Sequence, residues 1–115
     1  MASIPGKVKK TLREFVIRIE QEVSPQVVLL YGSYAKGKHK KGSDIDVAVF
    51  AKKFEGKNFI EITSYLFSKT SGMKIDLQPV GFPYHEFEKS NGEYLVELIK
   101  KEGIIIYLNG KFKFK

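Results

Sequence analysis

The run Val27-Val28-Leu29-Leu30-Tyr31 constrains this chain more than any other segment. Five consecutive apolar strand formers read as a strand buried in a sheet, and a buried strand needs elements to cover it. The preceding residues supply one. Val8, Leu12, Phe15, Val16, Ile19 and Val23 fall on one stripe at helical spacing, with Lys9, Lys10, Arg13, Arg18 and Glu22 off it. That spacing predicts a first helix from about Gly6 to Val23, ended by Ser24-Pro25.

The alternation continues. Tyr34 to Gly42 is too polar and too rich in glycine for a core element and suits one helical turn followed by a loop. Asp44 to Phe50 reads as a second strand. Asn58 is placed to cap a second long helix, with Glu61 three residues on, an apolar face of Phe59, Ile62, Leu66 and Phe67, and Gly72 as its stop. Met73 to Val80 reads as a third strand, and Phe82-Pro83 as a turn before a short helical turn around His85. Asn91-Gly92 precedes a helix carrying Tyr94, Leu95, Leu98 and Ile99, with Gly103 as its cap. Ile104 to Leu108 is a fourth strand. Asn109-Gly110 is a hairpin signal, and Lys111 to Lys115 alternates like an edge strand. Interleaved helices and strands define an α/β or α+β fold.

The 115 residues, 43% hydrophobic with 15 aromatics, suffice for one core, and the expectation is a single domain over 1–115. Without cysteine, disulfides and thiolate metal sites are excluded. No apolar run approaches the roughly 20 residues of a membrane span, and the first ten residues lack the apolar core of a signal peptide. A cytoplasmic protein with no membrane partner is the expectation. The net charge of +7 suits a polyanionic ligand or an acidic partner, although a solvated lysine surface gives the same total.

The chain has three aspartates against ten glutamates, and their placement is specific. Residues two apart on a strand share a face, so Asp44 and Asp46 stand side by side while Ile45, Val47 and Val49 face the other way. Two like charges so close are costly unless a cation or a proton joins them. A hard divalent ion such as Mg²⁺ takes carboxylates together with substrate phosphates. Asp76 alternates with Ile75 and Leu77 in the same manner, and it joins the pair if its strand lies next to theirs. Two metal ions there would clamp an in-line phosphoryl displacement. Gly32-Ser33 ends the first strand, where a glycine backbone and a serine hydroxyl can meet a phosphate. Lys36-Gly37-Lys38-His39-Lys40-Lys41 then places four lysines in six residues. Separately, an Asp-x-Asp, a Gly-Ser turn and a lysine loop are ordinary surface features; together they are not.

Gly32-Ser33, ten intervening residues and Asp44-Ile45-Asp46 resemble the signature of the nucleotidyltransferase superfamily typified by DNA polymerase beta. The fuller strings Gly32-Ser33-Tyr34-Ala35-Lys36-Gly37 and Ser43-Asp44-Ile45-Asp46-Val47 resemble the minimal nucleotidyltransferases. Glu102-Gly103-Ile104-Ile105-Ile106-Tyr107 is similar to their closing helix-to-strand segment. Lys36 stands where many relatives carry arginine, keeping the charge but not the two-pronged grip on phosphate.

The resemblance implies a short mixed sheet flanked by helices. It implies Asp44, Asp46 and Asp76 as catalytic residues and ligands of two Mg²⁺ ions, and Gly32, Ser33, Lys36 and Ser43 at the nucleotide phosphates, with ATP as donor of AMP. Minimal nucleotidyltransferases commonly act as antitoxins beside a HEPN-type helical toxin, attaching AMP to its tyrosine, and this is the leading expectation. The alternatives are an antibiotic-type small-molecule nucleotidyltransferase, a non-catalytic antitoxin acting by contact, and a basic nucleic-acid binder. The last is disfavoured because the aromatics follow core spacing. His39 is expected to be solvated in the lysine loop, His85 to be structural, and Phe112 and Phe114 to complete an edge strand.

Overall fold

The computed structural model describes residues 4–89 and 92–114. Asn91 of the expected Asn91-Gly92 start signal and Lys115 of the alternating tail lie outside them. The elements are α1 (Gly6–Val23), β1 (Val27–Tyr31), α2 (Ser33–Lys36), β2 (Ile45–Ala51), α3 (Phe59–Ser68), β3 (Leu77–Pro83), α4 (His85–Glu88), α5 (Tyr94–Glu102), β4 (Ile104–Leu108) and β5 (Lys111–Phe112). The strands form one mixed sheet in the order β3-β2-β1-β4-β5, with β2 and β3 parallel and the other pairs antiparallel. Among the described residues no helix is long and apolar enough to cross a membrane.

Both faces of the sheet are covered. On one, Leu12, Phe15, Val16 and Ile19 of α1 and Ile62 and Leu66 of α3 bury Val28, Leu30, Ile45, Val47, Val49 and Leu77. Each such side chain contributes about 1.5–3 kcal/mol of transfer free energy. On the other, Val96 and Ile99 of α5 cover Val27, Leu29, Ala48, Phe50 and Phe82. Apolar side chains therefore point both ways from β1 and β2, the reason for the continuous run in β1.

Several boundaries differ from the sequence reading. Asp44 precedes β2, and β3 starts at Leu77 rather than Met73, so two aspartates sit on strand entrances rather than within strands. Phe82 and Pro83 belong to β3, paired with Phe50 and Ala51, and the chain turns at Tyr84 instead. Asn58 caps α3 by accepting the Glu61 N–H at 2.8 Å, but the helix stops at Ser68, before Gly72. Its buried face is Ile62 and Leu66, with Phe59 and Phe67 exposed. In α5 the buried residues are Val96 and Ile99, and Tyr94 is exposed. The tail forms only the two-residue β5. The Asn109-Gly110 hairpin is as expected, both residues having positive φ.

Gly81 sets the distance between α3 and the sheet. A Cβ there would lie 2.4 Å from Ile62 Cγ2 and 2.7 Å from Leu66 Cδ1. β3 is one of the two edge strands and carries prolines at 79 and 83.

Candidate active site

At the open end of the α5 face, β1 stops at Tyr31 and the chain turns through Gly32 into α2. Gly32 has φ 76° and ψ −151°, a conformation open essentially to glycine alone. A second constraint acts on the same atom position: a Cβ at Gly32 would lie 2.2 Å from Asp46 Oδ2. The missing side chain lets the Asp46 carboxylate close against the backbone at the start of α2. Tyr34 and Ala35 are buried in the α1-side core, so the turn is rooted in that core. The first N–H groups of α2 have no intrahelical acceptor, as at any helix start.

Register places the other carboxylates. Asp46 stands opposite Tyr31 on one side and Gln78 on the other, and Ile45 opposite Leu77. Asp44 and Asp76 are each one step earlier, where the Ile45 N–H donates to the Asp76 carbonyl at 2.8 Å. By alternation Asp44, Asp46 and Asp76 leave the sheet on one side. Asp44 and Asp76 line one cleft of about 260 Å³ with Tyr34, Gly42, Ser43, Lys74 and Ile75. Both are exposed, whereas Asp46 is half-buried.

The electrostatics follow. Burial, and then the charge of Asp44, hold the Asp46 carboxyl above its ordinary range. Burial and the Asp46 charge push the Tyr31 phenol up to about 12. Excess negative charge at this end would be relieved by a cation, and the donors are all hard oxygens, as Mg²⁺ requires. Among the described residues no three His, Cys, Asp or Glu side chains form a ready-made nest for a metal ion. Asp44, Asp46 and Asp76 thus share one side of the sheet without being gathered into a three-carboxylate metal group, and as hard oxygen donors they are of the kind that Mg²⁺ takes together with substrate phosphate.

The remaining expected residues occupy varied positions. Ser33 opens α2, next to the Gly32–Asp46 contact. Lys36 is an ion-pair partner of Glu102, Nζ to Oε1 3.0 Å, tying α2 to the end of α5. Ser43 closes the lysine loop: its Oγ accepts the Lys40 N–H at 2.8 Å and its own N–H donates to the Lys40 carbonyl at 3.0 Å. His39 is not the solvated residue expected. Its ring stacks on Tyr34 at 4.3 Å, with Nδ1 buried and without a hydrogen-bond partner among the described residues. His85 is bound through Nδ1 to Glu55 at 2.7 Å, in keeping with a structural role. Sequence reasoning missed Tyr34, Gly42 and Lys74 as cleft residues. Lys74 was within reach, because it stands two residues before Asp76 and shares its face in an extended chain.

The model of the nucleotidyltransferase domain family matches residues 9–106, and the chain belongs to that family. It is a nucleotidyltransferase. Two proteins of Methanocaldococcus jannaschii are similar in sequence. One, named putative protein adenylyltransferase MJ1379, is 30% identical over 77 residues, spanning 63% of this chain and 74% of the relative. The other, putative protein adenylyltransferase MJ1215, is 31% identical over 73 residues, spanning 63% and 84%. Two crystal structures share the fold. A toxin-antitoxin with AMP-PNP aligns with TM-score 0.61 at 21% identity, over 87% of this chain and 73% of that one. A putative nucleotidyltransferase from Sulfolobus solfataricus aligns with TM-score 0.59 at 16% identity, over 97% and 96%.

Proposed function

We propose that this chain, acting as one catalytic domain in the cytoplasm, transfers AMP from ATP to a hydroxyl group of a partner protein. The partner in this reading is a HEPN-type helical toxin, the acceptor its tyrosine, and the chain its antitoxin. The observation that carries the reading is the interlock of Gly32 with Asp46 beside the cleft lined by Asp44 and Asp76. It sets the backbone that opens α2 against carboxylates on one side of a sheet. The names of the two curated relatives support a protein acceptor, and the toxin-antitoxin structure with AMP-PNP supports the partner class and the donor.

Asp44, Asp46 and Asp76 would hold two Mg²⁺ ions, which when bound neutralise the triphosphate and stabilise charge developing on the transferred phosphoryl group. The Gly32 backbone, the Ser33 hydroxyl and the N–H groups opening α2 receive the β and γ phosphates. Lys36 braces α2 through Glu102, and the lysines of residues 36–41 add positive field. Ser43 holds the lysine loop against the cleft. The acceptor oxygen attacks the α-phosphorus, the bond from that phosphorus to the bridging oxygen of the β-phosphate breaks, and pyrophosphate leaves. The acceptor's proton passes to Asp76.

The test is incubation with α-labelled ATP, Mg²⁺ and a HEPN-type helical protein from the same organism. The expected outcome is one labelled tyrosine and stoichiometric pyrophosphate; absence of both defeats the reading.

A further inference from the structure

A second groove adjoins the cleft. It has a volume of about 430 Å³, within the usual range for a ligand site, and runs between the first turns of α1 and the segment leading into β3. Lys7, Lys10, Thr11 and Glu14 form one wall, on a single face of α1, and Lys74 and Ile75 form the other. Lys74 and Ile75 also line the cleft that holds Asp44 and Asp76, so the two cavities share a wall. The ammonium groups of Lys7, Lys10 and Lys74 have no ion-pair partner among the described residues, in contrast to Lys36, Lys57 and Lys69. Thr11 is buried and its hydroxyl donates to the Lys7 carbonyl at 3.0 Å, so the α1 wall is a formed helical turn.

Three cations without an ion pair, set against the single carboxylate of Glu14, attract an anionic chain, and the shared wall puts that chain next to Asp76. Two features favour an acidic polypeptide over a nucleic acid. Among the described residues no aromatic ring lines the groove on which a base could stack. The Glu14 carboxylate can accept a hydrogen bond from a peptide N–H, a donor that a phosphate backbone lacks. We infer that the α1–β3 groove is the acceptor-side docking site, and that it takes a glutamate- or aspartate-rich segment flanking the hydroxyl to be modified. The inference rests on the protein-acceptor reading above.

The test separates docking from transfer. A fluorescein-labelled glutamate–tyrosine copolymer is titrated with the protein and followed by anisotropy, which needs no turnover. The wild type is expected to bind, and the double variant Lys7→Glu/Lys10→Glu to bind about ten-fold more weakly, equivalent to about 1.4 kcal/mol, with ATP binding unchanged. A control of equal charge change, Lys111→Glu/Lys113→Glu at the opposite edge of the sheet, is expected to bind the copolymer as the wild type does. Equal weakening by both variants, or none by the first, overturns the inference. So does tighter binding of a labelled oligoadenylate that the first variant weakens equally, which would assign the groove to nucleic acid. With α-labelled ATP and Mg²⁺ added, copolymer that binds at the groove but takes no label would leave the docking site standing and defeat the transfer reading instead.

Discussion

Where α1 and α3 lie against the sheet, every residue of β1, β2 and β3 beneath them is excluded from solvent, and the layer closes over Ile45 and Leu77 at its end. Where α4 and α5 lie against it, the cover ends early. Ala48 and Phe50 are buried, but one pair of residues further on Asp46 and Tyr31 are half-open and Gln78 is exposed. One sheet thus carries a sealed face that holds the fold and an unfinished face that leaves its end to polar groups. The difference shows how so short a chain maintains costly carboxylates: apolar burial on one side offsets charge repulsion on the other.

That contrast can be broken on either side. Phe15→Ala on the sealed face should lower stability by about 3–5 kcal/mol, read from urea unfolding, because the cavity adds to the lost transfer energy. Activity per folded molecule should hold. Asp44→Asn or Asp46→Asn on the open face should do the reverse, cutting nucleotidyl transfer by roughly a hundred- to a thousand-fold without loss of melting temperature. Transfer that survives at full rate would show that these carboxylates are not the reactive ones.

Two glycines sharpen the contrast. Gly81→Ala drives a methyl into Ile62 and Leu66 and should cost about 1–3 kcal/mol of stability with little effect on turnover. Gly32→Ala drives one into Asp46 at a φ unsuited to alanine, and should depress transfer much more than it depresses stability. The smallest expected effect is one of pH. The folded Asp46 carboxyl takes up a proton at higher pH than it does unfolded, so its charged form weakens the fold at neutral pH. The cost fades as pH falls through the folded value. Asp46→Asn should therefore melt higher than wild type at pH 7 in the presence of a chelator, with the gain shrinking toward about pH 4, the ordinary carboxylate range.

Much of this was legible in the sequence because the signals are local. The α1 stripe gave both ends of that helix, since helical spacing and Ser24-Pro25 agree. Alternation put Asp44 and Asp46 on one side. Strand entrances were harder, as the alternating apolar and polar residues at 73–76 extend a strand pattern before a partner is in place. The apolar Ala48 and Phe50 gave no sign that α5 would cover them. Contacts between distant segments were invisible: Glu102 meets Lys36 from 66 positions away, and the stacking of His39 on Tyr34 depends on how the loop folds back.

The prolines of β3 have a consequence for assembly. The Asp76 carbonyl and the Tyr84 N–H both face β2, so the even-numbered backbone groups of this strand point inward and the odd-numbered ones outward. Pro79 and Pro83 fall on the outward set and offer no N–H there, leaving Leu77 and Gly81 as the only outward donors of the strand. A foreign β-strand would find half of its hydrogen-bonding template missing. Any molecule recognised along this flank must be gripped by side chains, and the rim that carries Asp76 is guarded against self-stacking into fibres.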